Sequence, residues 1–406
     1  MEIRPILASL RKHRIPALLI VLEIALACAV LCNAVFMIGQ RVTDIHLPNA
    51  IDEQGISVID IQGTDPKQAV DDIPRYLTFL RGMAGVQAAA ATNTLPLNSN
   101  EWMTSLSTTP DALVTAKGSV NASVYLFTRG GEQALGLRLL QGRWFNADEY
   151  ADSTLGDSYM PNTHVIAVTD SLAKRMWPGE LALGKRVYVE KLSYTVVAVV
   201  ADVLRPAREM DGNPGFYHTV FFPLSESKEL GYYVVRSAPQ DRQRIVREAV
   251  QGLSALAPQA VVKGTTFSEM RNKYFADMSS MVWMLVLVCV VMLAVTAFGI
   301  VGLTSFWVSQ RRRQIGIRRA VGATRGHILH YFQTENFLLS TAGVVIGMAL
   351  AFGINLYLMQ HYEMNRMPWY YLPGGAMALW LLGQLAVLGP ALRAAAVPPV
   401  VATRSV

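Results

Sequence analysis

Four long apolar stretches dominate the hydrophobic pattern of this chain, one near its start and three in its last third, at about 15–38, 281–308, 337–359 and 376–392. Each can cross a hydrocarbon core of about 30 Å, which takes roughly 20 helical residues. The pattern therefore predicts four transmembrane helices. Between the first and the second, the apolar residues fall into short runs of two alternating periods. Strand-like runs at 56–61 and 86–92 flank a helical run at 66–83 that opens on Pro66, and 186–189 and 194–200 flank the polar turn 190–193 of a hairpin. Further strands are expected at 219–222, 232–236 and 260–263, and a helix over about 241–257. Strands alternating with amphipathic helices in this way predict an α+β domain rather than a sandwich or a bundle. Its roughly 230 residues are enough for one large core or two subdomains.

Basic residues precede the first stretch, as they do in a signal peptide. That stretch is longer than an h-region, however, and no convincing small-residue cleavage site follows it, so it reads as a retained helix. Lys and Arg near helix ends stay cytoplasmic. They cluster at Arg4, Arg11, Lys12 and Arg14, at Arg311, Arg312, Arg313, Arg318, Arg319 and Arg325, and at Arg393 and Arg404. These are 12 of the 36 basic residues, against the single acid Glu2; with +6 for the whole chain, the remainder carries −5. The basic balance is thus a matter of topology and does not imply nucleic acid. The expected order is a cytoplasmic tail (1–14), helix 1 (15–39), an external domain with its stalk (40–278), helix 2 (279–308), a cytoplasmic segment (309–334), helix 3 (335–360), a short external loop (361–374), helix 4 (375–393) and a cytoplasmic tail (394–406).

A chain that is 52% hydrophobic and 16% charged fits a membrane protein carrying a soluble domain. Cys28, Cys32 and Cys289 all fall in predicted membrane helices, which leaves the external domain no disulfide or thiolate metal site. Gly179, Gly184 and Lys185 fit G-x4-G-K, but Arg186 stands where a phosphate loop needs a Ser or Thr hydroxyl, so a glycine turn before a strand is the expectation. His164 and His218 are isolated in sequence, neither H-E-x-x-H nor G-x-S-x-G occurs, and Trp102, Trp144 and Trp177 read as core contacts. No catalytic constellation or metal site is expected.

From about 266 to 310 only Gly299 and Gly302 interrupt the helical pattern, which corresponds to over about 60 Å of helix, twice the hydrocarbon thickness. The outer part interleaves Glu269, Arg271, Asn272 and Lys273 with Phe267, Met270, Tyr274 and Phe275, an amphipathic stalk. Such a stalk either transmits displacement or is simply long. Two acids, Glu23 and Glu335, lie in or beside the membrane stretches, where an ionised side chain is costly. Proton coupling and a dimer-contact or interfacial role are both open for them.

The most specific motif is SQRRRQIGIRRAVGATR at 309–325, followed by Ile328, Phe332, Glu335, Leu338, Gly343 and Gly347. It closely resembles the FtsX signature R..EIGIRRA.GA.....I...F..E...L...G...G, with Gln314 in place of the usual glutamate. In the external domain, GLRLLQGRWF at 136–145 with Asp148, VIAVTDSLAKRMWPGELALGKRV at 165–187 and YTVVAVVADV at 194–203 resemble the periplasmic core domain of MacB-like permeases. Departures there are Asp170 for asparagine and Ala198 for glycine. PALRAAAVP at 390–398 is similar to the family's C-terminal ending, from which Val401 to Arg404 depart.

That resemblance implies an ABC transporter permease of the MacB/FtsX type: α+β, four transmembrane helices, and a large mixed α/β extracytoplasmic domain between helices 1 and 2. It implies that Gln314, Ile315, Gly316, Ile317, Arg318, Arg319, Val321, Gly322 and Ala323 form the segment coupled to a cytoplasmic ABC ATPase. From the residues themselves, Ile315, Ala320 and Val321 would give a small apolar patch among arginines. No Walker A, Walker B or signature segment is present in the sequence, so no cofactor is expected on this chain, with ATP and Mg bound by the partner ATPase. The other implied partners are a second permease copy or a related permease and the membrane lipids; a periplasmic adaptor and an outer-membrane channel are further ones it allows. The implied location is the bacterial inner membrane, multi-pass, with both termini cytoplasmic and the large domain periplasmic. The expected action is mechanotransmission that extrudes a periplasmic substrate, with peptide, macrolide, siderophore and lipoprotein all open. A signalling or scaffold protein that regulates a cell-envelope enzyme without transport is the alternative.

Overall fold

The computed structural model describes residues 14–110, 119–155, 160–189, 192–207, 214–226, 230–362 and 366–396. Arg4, Arg11, Lys12 and Arg404, residues 190–191 of the expected hairpin turn and residues 397–398 of the C-terminal motif lie outside the described residues. The chain divides into two compact units, Met1–His46 with Asp277–Val406, and Leu47–Ala276.

In the first unit, the described residues begin in helix α1 (Arg14–Ile45). The inserted unit then runs β1 (Ile56–Gln62), α2 (Ala69–Gly82), β2 (Val86–Thr92), β3 (Met103–Leu106), β4 (Val120–Phe127), α3 (Gly131–Leu135), β5 (Leu139–Gly142) and α4 (Ala147–Ala151). It continues through β6 (Val165–Thr169), α5 (Asp170–Met176), β7 (Arg186–Val189), β8 (Leu192–Val200), β9 (Thr219–Pro223), β10 (Tyr232–Ser237), α6 (Arg242–Leu256), β11 (Val261–Thr266) and α7 (Phe267–Tyr274). The chain returns to the first unit for α8 (Ala276–Gln310), α9 (Arg312–Ala320), α10 (Arg325–Tyr362) and α11 (Tyr371–Ala395).

Among the described residues, the strands of the inserted unit join one mixed sheet, in the order β11-β1-β10-β2-β4-β9-β6-β8-β5, with β3 added to β4 and β7 to β8. The pairs β4/β9 and β6/β8 are parallel, and the remaining ladders are antiparallel. A pleated strand sends alternate side chains to opposite faces, and here both faces are covered. In β4, Val124 and Leu126 enter one core with Ile73, Tyr76 and Leu77 of α2, while Tyr125 and Phe127 enter the other with Phe145 and Tyr150. The expected choice between one core and two subdomains thus resolves as one sheet with a core on each side. Arg205 lies buried with Glu101 at 2.7 Å and donates from Nε to the Ser123 hydroxyl at 2.9 Å, so this interior ion pair is also hydrogen-bonded.

The expected single helix over 266–310 is two helices, separated at Phe275. Thr266 starts α7 with a reciprocal cap: its hydroxyl accepts from the Glu269 amide, and the Glu269 carboxylate accepts from the Thr266 amide. Those bonds hold the Glu269 carboxyl below its usual range. Phe267 is fully buried in the sheet's core, and Arg271 pairs with Glu53 at 2.6 Å and donates to the Leu47 carbonyl at 3.3 Å. The amphipathic outer stretch is therefore folded onto its own unit, which explains its polar face in local terms.

In the first unit, α1, α8, α10 and α11 are long and apolar enough to cross a membrane, and the protein is multi-pass. Helices α1 and α10 approach closely because small residues line the seam. A β-carbon on Gly343 would lie 2.8 Å from Ile24 Cβ and 2.9 Å from the Val21 carbonyl oxygen; one on Gly347 would lie 2.4 Å from Cys28 Cβ and 2.7 Å from the Ala25 carbonyl oxygen. One turn further on, Asn33 donates to the Ala351 carbonyl at 3.1 Å. Without a hydrophobic drive between helices in lipid, close packing at small residues and interhelical hydrogen bonds are what hold them. Gly347→Leu is expected to lower the thermal stability of the detergent-solubilised chain by about 2–3 kcal/mol, whereas Gly353→Ala, whose β-carbon meets nothing within 4 Å, leaves it unchanged; melting curves of the two variants check this.

Candidate functional site

The conspicuous basic segment forms a helix–turn–helix between α8 and α10. Helix α8 ends at Gln310, and a single residue, Arg311 (φ −98°, ψ 7°), separates it from α9. Hydrogen bonding survives this joint, since the Arg311 amide donates to the Trp307 carbonyl at 3.0 Å and the Ile315 amide to the Arg311 carbonyl at 2.9 Å. At its far end α9 closes on Gly322, whose φ of +103° is left-handed. The Ala323 amide reaches the Arg318 carbonyl (3.0 Å) and the Gly322 amide reaches the Arg319 carbonyl (3.2 Å), the pair of bonds that defines a Schellman stop. Thr324 then starts α10, its hydroxyl accepting from the His327 amide at 3.2 Å.

This geometry divides the motif residues into two sets. Ile315 and Gly316 are buried in the helical unit, and Ala323 is partly buried against the same core. Gln314, Ile317, Arg318, Ala320, Val321 and Gly322 are exposed, Val321 at 84%, and Arg319 is half-buried. The apolar patch expected from Ile315, Ala320 and Val321 is accordingly made of Ile317, Ala320 and Val321, because Ile315 turns inward. Arg318 lies over the Tyr331 ring of α10 at 5.0 Å, within cation–π range, and stays at the surface.

The two acids singled out in the sequence have different surroundings. Glu335 is 2% exposed and accepts two hydrogen bonds from Arg311 Nη1, at 3.1 and 3.2 Å. Arg311 also lies 5.7 Å from the Trp307 ring centre. Its pairing with Glu335 is not signalled in the sequence, since 24 residues and a reversal of chain direction separate the two. Glu23, on α1, is half-buried and lies against Gly299 of α8, where a β-carbon would come within 2.3 Å of its Oε1. It borders an otherwise apolar cleft of about 520 Å³ between α1 and α8, with Leu26, Val30, Leu287 and Val291 on its walls.

The inserted unit holds a cleft of about 730 Å³ lined by Asp52, Asp170, Asp202, Arg138 and Tyr217 among others. Its carboxylates are engaged: Asp52 with Arg236 (2.8 Å), Asp170 with Lys174 (2.5 Å), and Asp202 with the Ser171 amide and hydroxyl (2.8 and 2.5 Å). The G-x4-G-K run also shows no phosphate cradle. The Gly184 amide donates to the Val196 carbonyl at 2.8 Å, and Lys185 pairs with Glu180 while lying 5.8 Å over Trp177. His164 precedes β6 and His218 precedes β9. Those strands pair antiparallel in the register Ala167↔Phe221, so the histidines stand at opposite ends of the ladder, about 20 Å apart. Burial, helped by Arg175 and Arg205, lowers the His218 pKa.

Residues 19–253 match the family model described as the MacB-like periplasmic core domain, and residues 286–399 match that described as FtsX-like permease C-terminal. The macrolide export ATP-binding/permease protein MacB of Pasteurella multocida is 28% identical over 250 residues, 57% of this chain and 35% of that protein. The pyoverdine export ATP-binding/permease protein PvdT of Pseudomonas aeruginosa is 24% identical over 194 residues, 47% of this chain and 29% of that one. The matched stretch thus spans about a third of the length of these curated relatives. The periplasmic region of MacB from Actinobacillus actinomycetemcomitans aligns at a TM-score of 0.38 and 14% identity over 55% of this chain and 94% of that one.

The Schellman stop gives a local test of the helix–turn–helix. Gly322→Ala places a β-carbon on left-handed backbone and is expected to cost about 1–2 kcal/mol, read as a lower melting temperature together with faster proteolysis within 320–325.

Proposed function

The chain belongs to the MacB/FtsX family of ABC transporter permeases, and we propose that it is a permease subunit that couples a separate cytoplasmic ATPase to an extracytoplasmic domain for export of a substrate. The observation that carries this reading is the exposed tip of α9. Ile317, Ala320 and Val321 stand open to solvent beside Arg312, Arg313 and Arg318, at a turn whose backbone is already capped. Apolar side chains left exposed at the end of a membrane hairpin contribute little to the core; Ile317 is half covered and Val321 hardly at all. Set among arginines, they suit a protein groove edged with carboxylates.

On this reading ATP and Mg bind the partner ATPase, whose closure moves α9 and with it the membrane helices. The positive-inside rule supports this reading, with the basic tip and both termini cytoplasmic and the sheet unit periplasmic. Four helices are too few to enclose a wide pore, so the subunit works with a second copy or a related permease. An adaptor and an outer-membrane channel would complete an export route. The names of the relatives, macrolide and pyoverdine exporters, make a bulky small molecule the first substrate class to try.

The test is affinity purification from the native membrane with mass spectrometry of the retained proteins. An ABC ATPase is expected with the wild-type chain and at least tenfold less of it with Ile317→Asp plus Val321→Asp, whose side chains leave no gap in the core and whose melting temperature should be unchanged. Absence of any ATPase with wild type, even after mild cross-linking, would overturn the assignment.

A further inference from the structure

The residue that joins the two helices is also the residue pinned to the third. Arg311 is the single non-helical position between α8 and α9, and its Nη1 is the group that meets both oxygens of Glu335 on α10. Both side chains are nearly out of solvent, at 10% and 2% exposure. Such a pair is a poor way to gain stability, because desolvating two charges offsets most of their attraction. Here the arrangement is more costly still. Arg311 Nη2 and the Trp307 indole N–H are buried without a hydrogen-bond partner among the described residues, and an unmade buried bond is a penalty. A site that carries this cost without a gain in stability calls for another role.

That role follows from where the pair sits. Hydrogen bonds along the backbone keep α8 and α9 continuous through Arg311, but no such ladder links α9 to the middle of α10. The turn at Gly322 joins their near ends only. Glu335 lies ten residues into α10, about 15 Å along its axis from Arg325. We infer that Arg311 and Glu335 are positioning residues forming a latch, which fixes the α8–α9 joint to α10 so that a displacement of α9 moves both membrane helices together. This rests on the reading of α9 as the ATPase-docking element; the latch itself is a property of the chain alone, and the experiment separates the two.

The first arm uses the full-length chain in lipid nanodiscs and follows amide hydrogen exchange. In Glu335→Gln and in Arg311→Gln, amides of 312–320 are expected to exchange at least about tenfold faster than in wild type, while those of 340–355, in the α1–α10 seam, keep their protection. Arg311→Lys, which keeps a point charge where a single nitrogen serves both oxygens, should stay within about threefold of wild type. Unchanged exchange in 312–320 overturns the latch. Equal acceleration of 340–355 also overturns it, since the pair would then merely hold the whole unit together. The second arm adds the ATPase recovered with wild type. The variants should bind it with Kd, and the complex ATP with KM, within about threefold of wild type, because α9 remains mostly closed, while kcat of the complex shifts at least fivefold and Arg311→Lys restores it. An unchanged kcat overturns transmission through the latch. Failure of wild type to bind an ATPase sinks the docking reading, and the exchange arm still decides the latch.

Discussion

A chain that leaves a membrane helix and enters another must satisfy its own backbone through the turn, because an unpaired amide or carbonyl near hydrocarbon costs several kcal/mol. Between residues 307 and 328 three residues serve that requirement directly. Arg311 keeps the i to i−4 ladder intact while departing from helical angles, Gly322 supplies the left-handed stop, and Thr324 caps the helix that follows. The tip of α9 can then carry side chains that do nothing for folding, since the backbone beneath them is complete without them.

The four long helices are not equally committed to the unit. Helix α1 is held in a narrow seam against α10, where Gly343 and Gly347 let the backbones approach, and Gly375 of α11 stands against Cys32 of the same helix. Helix α8 is different: Trp283, Leu287, Val291, Val295 and Phe298 are all exposed along it. An apolar surface of that extent suits lipid or another apolar helix. It also leaves α8 lightly tethered, with its lower end held through Trp307, Val308 and the Arg311–Glu335 pair.

Much of this architecture was legible in the sequence because its signals are long or strongly periodic. The four spans were readable from hydropathy alone, as were β1, β2, α2, α6 and the β7–β8 hairpin. Strand β4 gives only a weak strand signal, and its burial explains why: with Val124 and Leu126 in one core and Tyr125 and Phe127 in the other, its second half has no polar face to alternate with, and Asn121 and Ser123 alone alternate before it. The break at Phe275 was also invisible, since neither glycine nor proline marks it and the residue keeps an i to i−4 bond to the Arg271 carbonyl. In the candidate site the motif residues themselves were readable, but not the direction each faces. Ile315 and Ile317 are both isoleucines, two residues apart on a helix; about 200° of rotation between them puts one in the core and the other in solvent. The Arg311–Glu335 contact depends on how far α10 folds back beside α8, which no local pattern encodes.

This division bears on how a motif of this kind is weighed. A simple anchor on the cytoplasmic side would need the arginines but not Ile315, Gly316, Gly322 and Ala323, so those four residues first look like the mark of a partner. The structure gives each a role within the chain: Ile315 and Gly316 pack inward, Ala323 rests partly on the same core, and Gly322 ends a helix. They specify the shape of the turn and not what touches it. The argument for a partner therefore moves to Ile317, Ala320 and Val321, which have no such local explanation, and to Arg318, which is exposed with its guanidinium over the Tyr331 ring. Exposed apolar atoms beside an exposed guanidinium are thus what this turn offers a partner, and the rest of the motif serves to present them.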